Sequence, residues 1–264
     1  MNYQEFIAPY HRVNIGDFTV KRLDSLEIVS SRINPCDLAR ISLDCLEVNP
    51  EDFHKDDPVN VSLGYQEIGT WKVFDGFVQD PSKKRIIDLF CKDRMVRLGA
   101  KITKTFVNAT PQEIISFGLR AAGIDQFILS SRYLNQRHLF VAKDITVIDL
   151  IKLVNRTWNL DDWAFYFEPE GTFYWGPWEE SERYKRGALT VFEYGKNIIN
   201  LDPSDEETGT LETILLPFLR HSTLIKIQDS RFWRRSVIAR IERIRFRIEK
   251  TKTRSFIEWR IRPN

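Results

Sequence analysis

The residue types that most often carry metal or nucleophilic chemistry are scattered along this sequence. None of the four histidines has a second histidine three or four positions further on, the spacing at which two imidazoles on one helix face bind a metal ion. They are His11, His54, His138 and His221. The three cysteines, Cys36, Cys45 and Cys91, form no Cys-x-x-Cys pair and are typical of small core residues. The sequence therefore predicts no metal site and no disulfide.

Catalytic arrangements of carboxylates or glycines are not found either. Asp161-Asp162 and Glu179-Glu180 are adjacent in sequence, so the two side chains of each pair point in different directions and do not form a general acid and base. The chain has no Gly-x-Ser-x-Gly nucleophile turn, no phosphate-binding P-loop and no glycine-rich dinucleotide turn. We therefore expect a protein that is not an enzyme and that holds no cofactor.

The composition is that of a globular protein. The chain has 264 residues, of which 42% are hydrophobic and 29% charged, enough for one large core or two to three small ones. No apolar run approaches the 18 or so residues that a membrane span needs, and the polar start MNYQEFIAPYHR lacks the apolar stretch of a signal peptide. We expect synthesis in the cytoplasm and no membrane insertion by this chain.

Charge is distributed unevenly along the chain. Residues 231–262 contain 12 basic and 3 acidic residues, a net charge of +9, which leaves −7 for the rest of a chain whose total is +2. Such asymmetry marks either a nucleic-acid surface or an assembly in which the basic face of one subunit meets the acidic face of its neighbour.

The arginines of this basic segment are the candidate contact residues. Those expected to meet another subunit or a partner are Arg234, Arg235, Arg243, Arg245 and Arg247. Alternation of apolar and charged residues over 244–248, repeated at 257–261 after a turn at 250–254, favours a long hairpin with the arginines on its outer face, close to Glu242, Glu249 and Glu258. The competing interpretation is a basic amphipathic helix over 237–248, because its isoleucines also recur at helical spacing.

Period-two patterning also dominates the first hundred residues. Val59, Val61, Leu63 and Tyr65 alternate with polar residues or glycine, as expected of a strand with one buried face. Asp75-Gly76 suggests a tight turn or bulge, with a glycine that either has positive φ or lies very close to another strand. The stretch 80–83 suggests a further turn.

Two capped helices and an aromatic hairpin mark the middle of the chain. Thr110-Pro111-Gln112-Glu113 resembles a capping box and predicts a helix at about 111–122 that ends near Gly123. A second helix is expected from Thr146 to about Asn159. Residues 163–175 alternate as a hairpin, and the cluster Trp163–Trp178 suggests either a packed core or a glycan-binding platform.

The order of these elements resembles a known family. The run Phe74–Val78 followed by Ile86–Asp93, the capped helix after Asn108, and the segments 216–227 and 237–261 are similar to the phage tail hub proteins of the late control gene D family. These resemble the baseplate hubs of contractile tails and the hub part of type VI secretion spike proteins.

The resemblance implies a mainly β fold with an α+β middle, in which two small antiparallel β-barrels flank a helix-containing subdomain. The expected domains are 1–107 (N-terminal arm and first barrel), 108–181 (middle) and 182–264 (second barrel). It also implies a structural baseplate hub at the virion tail tip, a homotrimeric ring that adapts the sixfold tail tube to a threefold central spike. The implied partners are the chain itself, a tail tube or tube-initiator protein, a separate spike protein and baseplate wedge proteins.

Two other functions remain open at this stage. One is a nucleic-acid-binding β-barrel that uses the arginine-rich 231–262 hairpin. The other is a glycan-binding module that uses the Trp163–Trp178 cluster.

Overall fold

The protein consists of two compact units. The computed structural model describes residues 8–20, 22–44, 49–83, 86–161, 163–185, 189–250 and 252–261. One unit, here called the sheet unit, combines both ends of the chain, Met1–Asp93 and Arg186–Asn264, and the other, the middle unit, spans Arg94–Lys185. The predicted β-rich fold with a small helical part in the middle is confirmed.

Both units contain strands, and the three described α-helices lie in the middle unit. In chain order they are β1 (Pro9–Ile15), β2 (Phe18–Val20), β3 (Leu23–Ser31), β4 (Leu38–Asp44), β5 (Pro58–Tyr65), β6 (Gly69–Lys83), β7 (Ile86–Asp93), β8 (Lys101–Ala109), β9 (Phe127–Leu129), β10 (Arg137–Thr146), β11 (Trp163–Phe167), β12 (Phe173–Pro177), β13 (Thr190–Glu193), β14 (Ile198–Pro203), β15 (Thr208–Ile214), β16 (Leu224–Gln228), β17 (Val237–Glu249) and β18 (Thr253–Ile261). The α-helices are α1 (Pro111–Ala121), α2 (Val147–Thr157) and α3 (Glu182–Lys185). Short 3₁₀ turns lie at Pro50–Asp52, Arg94–Gly99 and Trp178–Glu180.

The sheet unit is built on one largely antiparallel sheet, in which 13 strands are described. Eleven of them follow the order β14-β15-β18-β17-β3-β4-β7-β6-β5-β1-β2, while β16 pairs with β17 and β13 with β16. Strand β17 joins the two ends of the chain: β3 pairs with its second half, from Arg243 to Glu249, and β16 with its first half. The pairing of β17 with β18 shifts register between Ile241 and Arg243, a bulge at the point where β17 changes partner.

The predicted long hairpin is confirmed, and the helix interpretation of 237–248 is wrong because β17 runs through these residues. Alternate residues of the sheet enter a single core to which both ends of the chain contribute. The predicted inward residues of β5 are all buried. On β17 and β18 the fully buried side chains include Ile244, Phe246 and Trp259. The division of this sheet into two barrels stays a prediction.

The middle unit begins at Arg94, earlier than the expected boundary at 108. Strand β8, most of which lies in the domain 1–107 that the resemblance implies, pairs with β10 from Lys101 opposite Thr146 to Ala109 opposite Arg137. This pairing places β8 in the middle unit. The sequence alone does not show it, because a period-two pattern indicates that a strand exists and not which strand it pairs with.

The tight turn predicted at Asp75-Gly76 is wrong. The glycine is needed because another strand lies very close to it. Residues 75 and 76 lie inside β6, and Gly76 does not have positive φ. A Cβ at Gly76 would lie 2.2 Å from the carbonyl oxygen of Lys92 on β7, so a side chain has no room there. Bulges fall nearby instead, where β6 shifts register against β5 and again between Val78 and Asp80 against β7.

The turn predicted at 80–83 is also wrong, because β6 continues to Lys83 and Pro81 pairs with Leu89 of β7. The β5 ladder reaches only to Phe77 of β6. Val78 still bonds to the backbone of Asp56 and Asp57, and beyond it the described ladder of β6 is with β7. Proline, which lacks an N–H group, is tolerated at such an edge.

Both predicted helices are confirmed. The side chain of Thr110 accepts a hydrogen bond from the backbone N–H of Glu113, whose carboxylate in turn accepts from the Thr110 N–H. This capping box fixes the start of α1, and Gly123, with φ of 72°, ends it. The Thr146 side chain caps α2 by accepting a hydrogen bond from the backbone N–H of Asp149, and Asn159 takes the left-handed conformation at the helix end. Among the described residues, no helix combines the length and apolar character that crossing a bilayer requires.

The aromatic hairpin is confirmed as β11 and β12, to which β9 adds a parallel strand. Trp175 and Trp178 are buried, and the Trp175 indole N–H donates to the Asn155 side chain of α2. Trp163 packs against Trp175 with ring centroids 4.4 Å apart. These rings therefore form the core of the middle unit, and the faces of the two buried tryptophans are not available for stacking on a sugar.

Candidate interaction surface

The structure places no metal-binding cluster among the residues it describes: no group of three or more His, Cys, Asp and Glu side chains there is arranged to hold a metal ion. Burial raises the pKa of the Cys91 thiol to about 12, and it also raises the pKa of Cys36. A raised pKa keeps both thiols in the protonated form at neutral pH. Cys45 lies outside the described residues.

The remaining charged candidates are the strand arginines, and β17 places three of them on one face. Ile244, Phe246 and Ile248 enter the core, so the alternating positions 243, 245 and 247 face away from it. Arg243 pairs with Glu258 of β18 at 3.3 Å, and Arg247 pairs with Glu249 at 2.5 Å. The glutamates expected beside these arginines thus do neutralise two of them.

Arg245 differs from its two neighbours. Its guanidinium lies over the Phe256 ring of β18, 4.7 Å from the ring centroid, and Arg245 and Phe256 are direct partners in the β17–β18 ladder. Within the ranges that the structure describes, no hydrogen bond or ion pair is made by this guanidinium. The stacking orients the planar group while leaving its N–H donors available.

A groove of about 230 Å³ surrounds this stacked pair on β14, β15, β17 and β18. Its polar lining residues, besides Arg245, are Asn200, Thr210, Glu212, Arg243 and Glu258. Glu212 is already paired with Lys252 at 3.0 Å and lies 3.6 Å from Arg254. With Glu258 paired to Arg243 as well, the carboxylates of the groove are occupied and its unsatisfied charge is that of Arg245. This arrangement can bind an anionic group, above all a carboxylate, which the guanidinium matches with two parallel hydrogen bonds.

The other two candidate arginines lie elsewhere. Arg234 and Arg235 are exposed in the loop between β16 and β17. That loop begins at Asp229, whose buried carboxylate accepts hydrogen bonds from the side chain and backbone N–H of Arg231. The Arg231 side chain lowers the pKa of Asp229, and it also stacks 3.6 Å from the centroid of the Tyr194 ring.

Sequence reasoning missed Phe256 and Glu212 as members of this surface. Phe256 could have been found, because the predicted hairpin with its turn near 250–254 places Phe256 close to Arg245 across the ladder. Glu212 could not, since it belongs to β15, whose pairing with β18 is not evident from either segment alone.

Comparisons with known proteins identify the fold. No protein-family model matches the sequence, and no curated protein matches it either. Among solved structures, the 43 kDa tail protein of prophage MuSo2 from Shewanella oneidensis matches with a TM-score of 0.73 at 11% identity, over 94% of this chain and 97% of that one. A tail protein from Neisseria meningitidis MC58 matches with a TM-score of 0.69 at 13% identity, over 96% of both chains.

A third similar structure comes from a secretion machine. The Escherichia coli c3393 protein, described as a component of the type VI secretion system with structural similarity to the T4 bacteriophage tail proteins gp27 and gp5, has a TM-score of 0.65 at 12% identity. The match covers 96% of this chain and 77% of that one. The resemblance found in the sequence is thus supported in three dimensions, and the chain has the fold shared by phage tail proteins and this type VI secretion component.

Proposed function

We propose that this chain is a structural protein of a phage tail or a phage-derived injection machine. The observation that carries this proposal is the structural match to the prophage tail protein from end to end of both chains. A match of that extent includes the inserted middle unit as well as the sheet, so it is the whole architecture that is shared. We assign the chain no catalytic role.

More specifically, the proposed role is that of the baseplate hub, a homotrimeric ring that joins a sixfold tail tube to a threefold spike. The uneven charge supports a ring, because a segment of net charge +9 in a chain whose remainder carries −7 favours contacts between unlike faces. A twofold dimer through the basic face would place like charges opposite each other. Unlike faces can meet around a closed ring of three subunits.

The proposed partners follow from that position. They are a tail tube or tube-initiator protein on one side, a separate central spike protein on the other, and wedge proteins at the periphery. The similarity of the E. coli protein to gp27 and gp5, as that structure is described, supports a place near the spike. The proposed location is the tail tip of the particle.

The test is the mass of the assembly together with its place in the particle. Native mass spectrometry and sedimentation of the purified chain are expected to show a trimer, either alone or after addition of the spike or tube-initiator protein encoded nearby. Gold-labelled antibody should mark the tail tip of particles from the source strain. A chain that stays monomeric with both partners and is missing from purified tails would contradict the proposal.

The same preparation separates the hub from a nucleic-acid-binding protein. Pairing of Arg243 and Arg247 with glutamates reduces the positive potential that phosphate binding needs. We expect no measurable binding of duplex DNA at physiological salt. Tight binding that weakens steeply with added salt would favour the nucleic-acid function instead.

A further inference from the structure

The groove around Arg245 carries a positive charge that no carboxylate of the groove neutralises. Its guanidinium lies over the Phe256 ring, 4.7 Å from the ring centroid, while the two glutamates that line the groove are already paired with Lys252 and Arg243. A planar guanidinium with free donors binds carboxylates best, since two N–H groups match two oxygens. The carboxylate that would pair with Arg245 must therefore come from outside the groove.

An acidic surface lies at the other end of the strand order of the same sheet. It is formed by the turn between β1 and β2 and by the loop that enters β5, and we call it the acidic corner; its members are Asp17, Glu51, Asp52, Asp56 and Asp57. The N–H of Gly16 bonds to the carbonyl of Pro58 at 2.8 Å, which holds turn and loop together. Phe18 packs on Phe53 from the turn side and is 41% exposed.

Three carboxylates of the acidic corner, those of Asp17, Asp52 and Asp56, are available for contact. Within the described ranges, no ion pair is made by Asp17, Asp52 or Asp56, and two of these three side chains are exposed. The Asp57 carboxylate accepts a hydrogen bond from the His54 backbone N–H at 2.7 Å and lies 3.9 Å from the His54 ring, so it is less available. The acidic corner thus combines free carboxylates with an exposed aromatic ring, while the groove combines a free guanidinium with Phe256.

We propose that the groove around Arg245 binds the acidic corner of a second copy of this chain. Arg245 pairs with a carboxylate of the neighbour's corner, and the exposed Phe18 ring of that corner packs beside the half-buried Phe256. Because the two surfaces differ, the contact is head to tail and each subunit uses both, which is the kind of interface that closes into a ring. The inference rests on the proposed homotrimer and names the surfaces that hold it together.

The loop between β14 and β15 is a less suitable occupant although it too is acidic. The Asp205 carboxylate already accepts the backbone N–H groups of Glu207 and Thr208, at 2.8 and 2.7 Å, and the Thr208 hydroxyl. Binding an arginine would compete with these bonds. Moreover, this loop joins β14 and β15, which both line the groove. A contact between the loop and the groove would therefore use two neighbouring surfaces, whereas the acidic corner lies at the opposite end of the strand order.

Charge reversal at Arg245 is the first test. Sedimentation over a range of concentrations should show that Arg245→Glu raises the concentration needed for half-assembly by about tenfold or more, the effect of losing a charge-assisted pair across an interface. Arg245→Lys, which keeps the charge but loses the planar fork, should have a smaller effect. The control is Arg156→Glu on α2 in the middle unit, an exposed site with the same change of net charge, which should assemble like wild type. Unchanged melting of Arg245→Glu confirms that it is folded.

Rescue by a second reversal is the decisive test. Asp52→Arg combined with Asp56→Arg should weaken assembly alone and restore it in the Arg245→Glu background. A trimer that survives Arg245→Glu overturns the inference while leaving the homotrimer intact, and so does rescue by Glu206→Arg with Glu207→Arg instead. A wild-type chain that never forms a trimer overturns the homotrimer and this interface together.

Discussion

The guanidinium of Arg220 donates a 2.6 Å hydrogen bond to the backbone carbonyl oxygen of Lys72, 148 positions earlier in the chain. The same buried side chain also bonds the carbonyls of Pro217 and Leu219. Nearby, the Tyr65 hydroxyl donates to the carbonyl of Leu215 at 2.8 Å. The segment after β15 is thus attached by side chains to β5 and β6, strands from the other end of the chain.

Removal of the Arg220 guanidinium should destabilise the sheet unit. Arg220→Met keeps most of the stem but leaves buried carbonyls without a donor, and we expect the free energy of unfolding to fall by about 2–4 kcal/mol. Urea titration followed by tryptophan fluorescence measures it. Arg234→Met, at an exposed arginine, should change stability by less than about 0.5 kcal/mol. Equal effects of the two substitutions would show that the Arg220 bonds contribute nothing net.

A side chain at Gly76 should force β6 and β7 apart. The added Cβ of Gly76→Ala would lie 2.2 Å from the Lys92 carbonyl oxygen and 2.8 Å from the Asp93 Cα, both backbone atoms. We expect a loss of about 1–3 kcal/mol for alanine and more for valine. Gly99→Ala is the matched control, because nothing lies within 4 Å of a Cβ there. A Gly76→Ala protein that melts like wild type would contradict the described register of β6 against β7.

Removing one partner of the buried ion pair of the middle unit should lower the free energy of unfolding more than replacing both partners. Arg183 is 2% exposed, pairs with Glu168 at 3.1 Å and lies 3.6 Å from the centroid of the Tyr166 ring. Arg183→Ala leaves a buried carboxylate uncompensated and should cost about 3–5 kcal/mol, whereas Arg183→Met with Glu168→Leu should recover much of that loss.

The control for that pair is the more exposed ion pair of Arg132 with Glu180. Arg132→Ala is expected to cost less than about 1 kcal/mol, because solvent screens the charges. Hydrogen exchange of the β11–β12 amides would localise each effect. If the double variant were no more stable than Arg183→Ala, packing of the arginine on Tyr166 would be its main contribution.

Stability should depend on pH through Asp229. Arg231 lowers the pKa of this carboxyl below its ordinary value of 3.8 in the folded protein. The unfolded state therefore binds the proton first, so the stabilisation is complete above the ordinary value and is lost as the pH falls through the folded one. Asp229→Asn should cost about 1–2 kcal/mol near neutral pH, and the difference from wild type should shrink below the ordinary value.

Urea titrations at a series of pH values, from neutral to acidic, measure this dependence. Arg231→Met, which removes the cation, should flatten the same part of the profile. A difference between wild type and Asp229→Asn that stays constant across the whole range would mean that the carboxylate acts by hydrogen-bond geometry alone.

Elements that are stabilised by contacts between residues close in sequence could be predicted from the sequence. The capping box of Thr110 and Glu113 defined α1 because its hydrogen bonds join residues three apart. The aromatic hairpin and the β17–β18 hairpin could likewise be predicted from alternation on either side of a short turn.

Relationships between distant segments could not be predicted in this way. Gly76 is needed because β7 approaches it closely. The neighbours of Gly76 in sequence do not show this approach, and the dipeptide Asp75-Gly76 alone predicts a tight turn or bulge. The assignment of β8 to the middle unit depends on β10, and the groove around Arg245 depends on β15. In each case the structural role of a residue depends on which strand lies beside it. Alternation of apolar and polar residues indicates a strand but does not identify its neighbour.

The pairing of β3 with β17 has a consequence for the order of events during synthesis. Ser31 lies opposite Arg243, so the seam of the sheet joins positions about 210 residues apart. The strand pairs of the middle unit join segments much closer in the chain, such as β11 with β12. Contacts of such high sequence separation form slowly and only after the later segment has left the ribosome. The N-terminal strands must therefore wait with one edge exposed while the middle unit folds, and a chaperone that covers this edge would raise the yield of native protein.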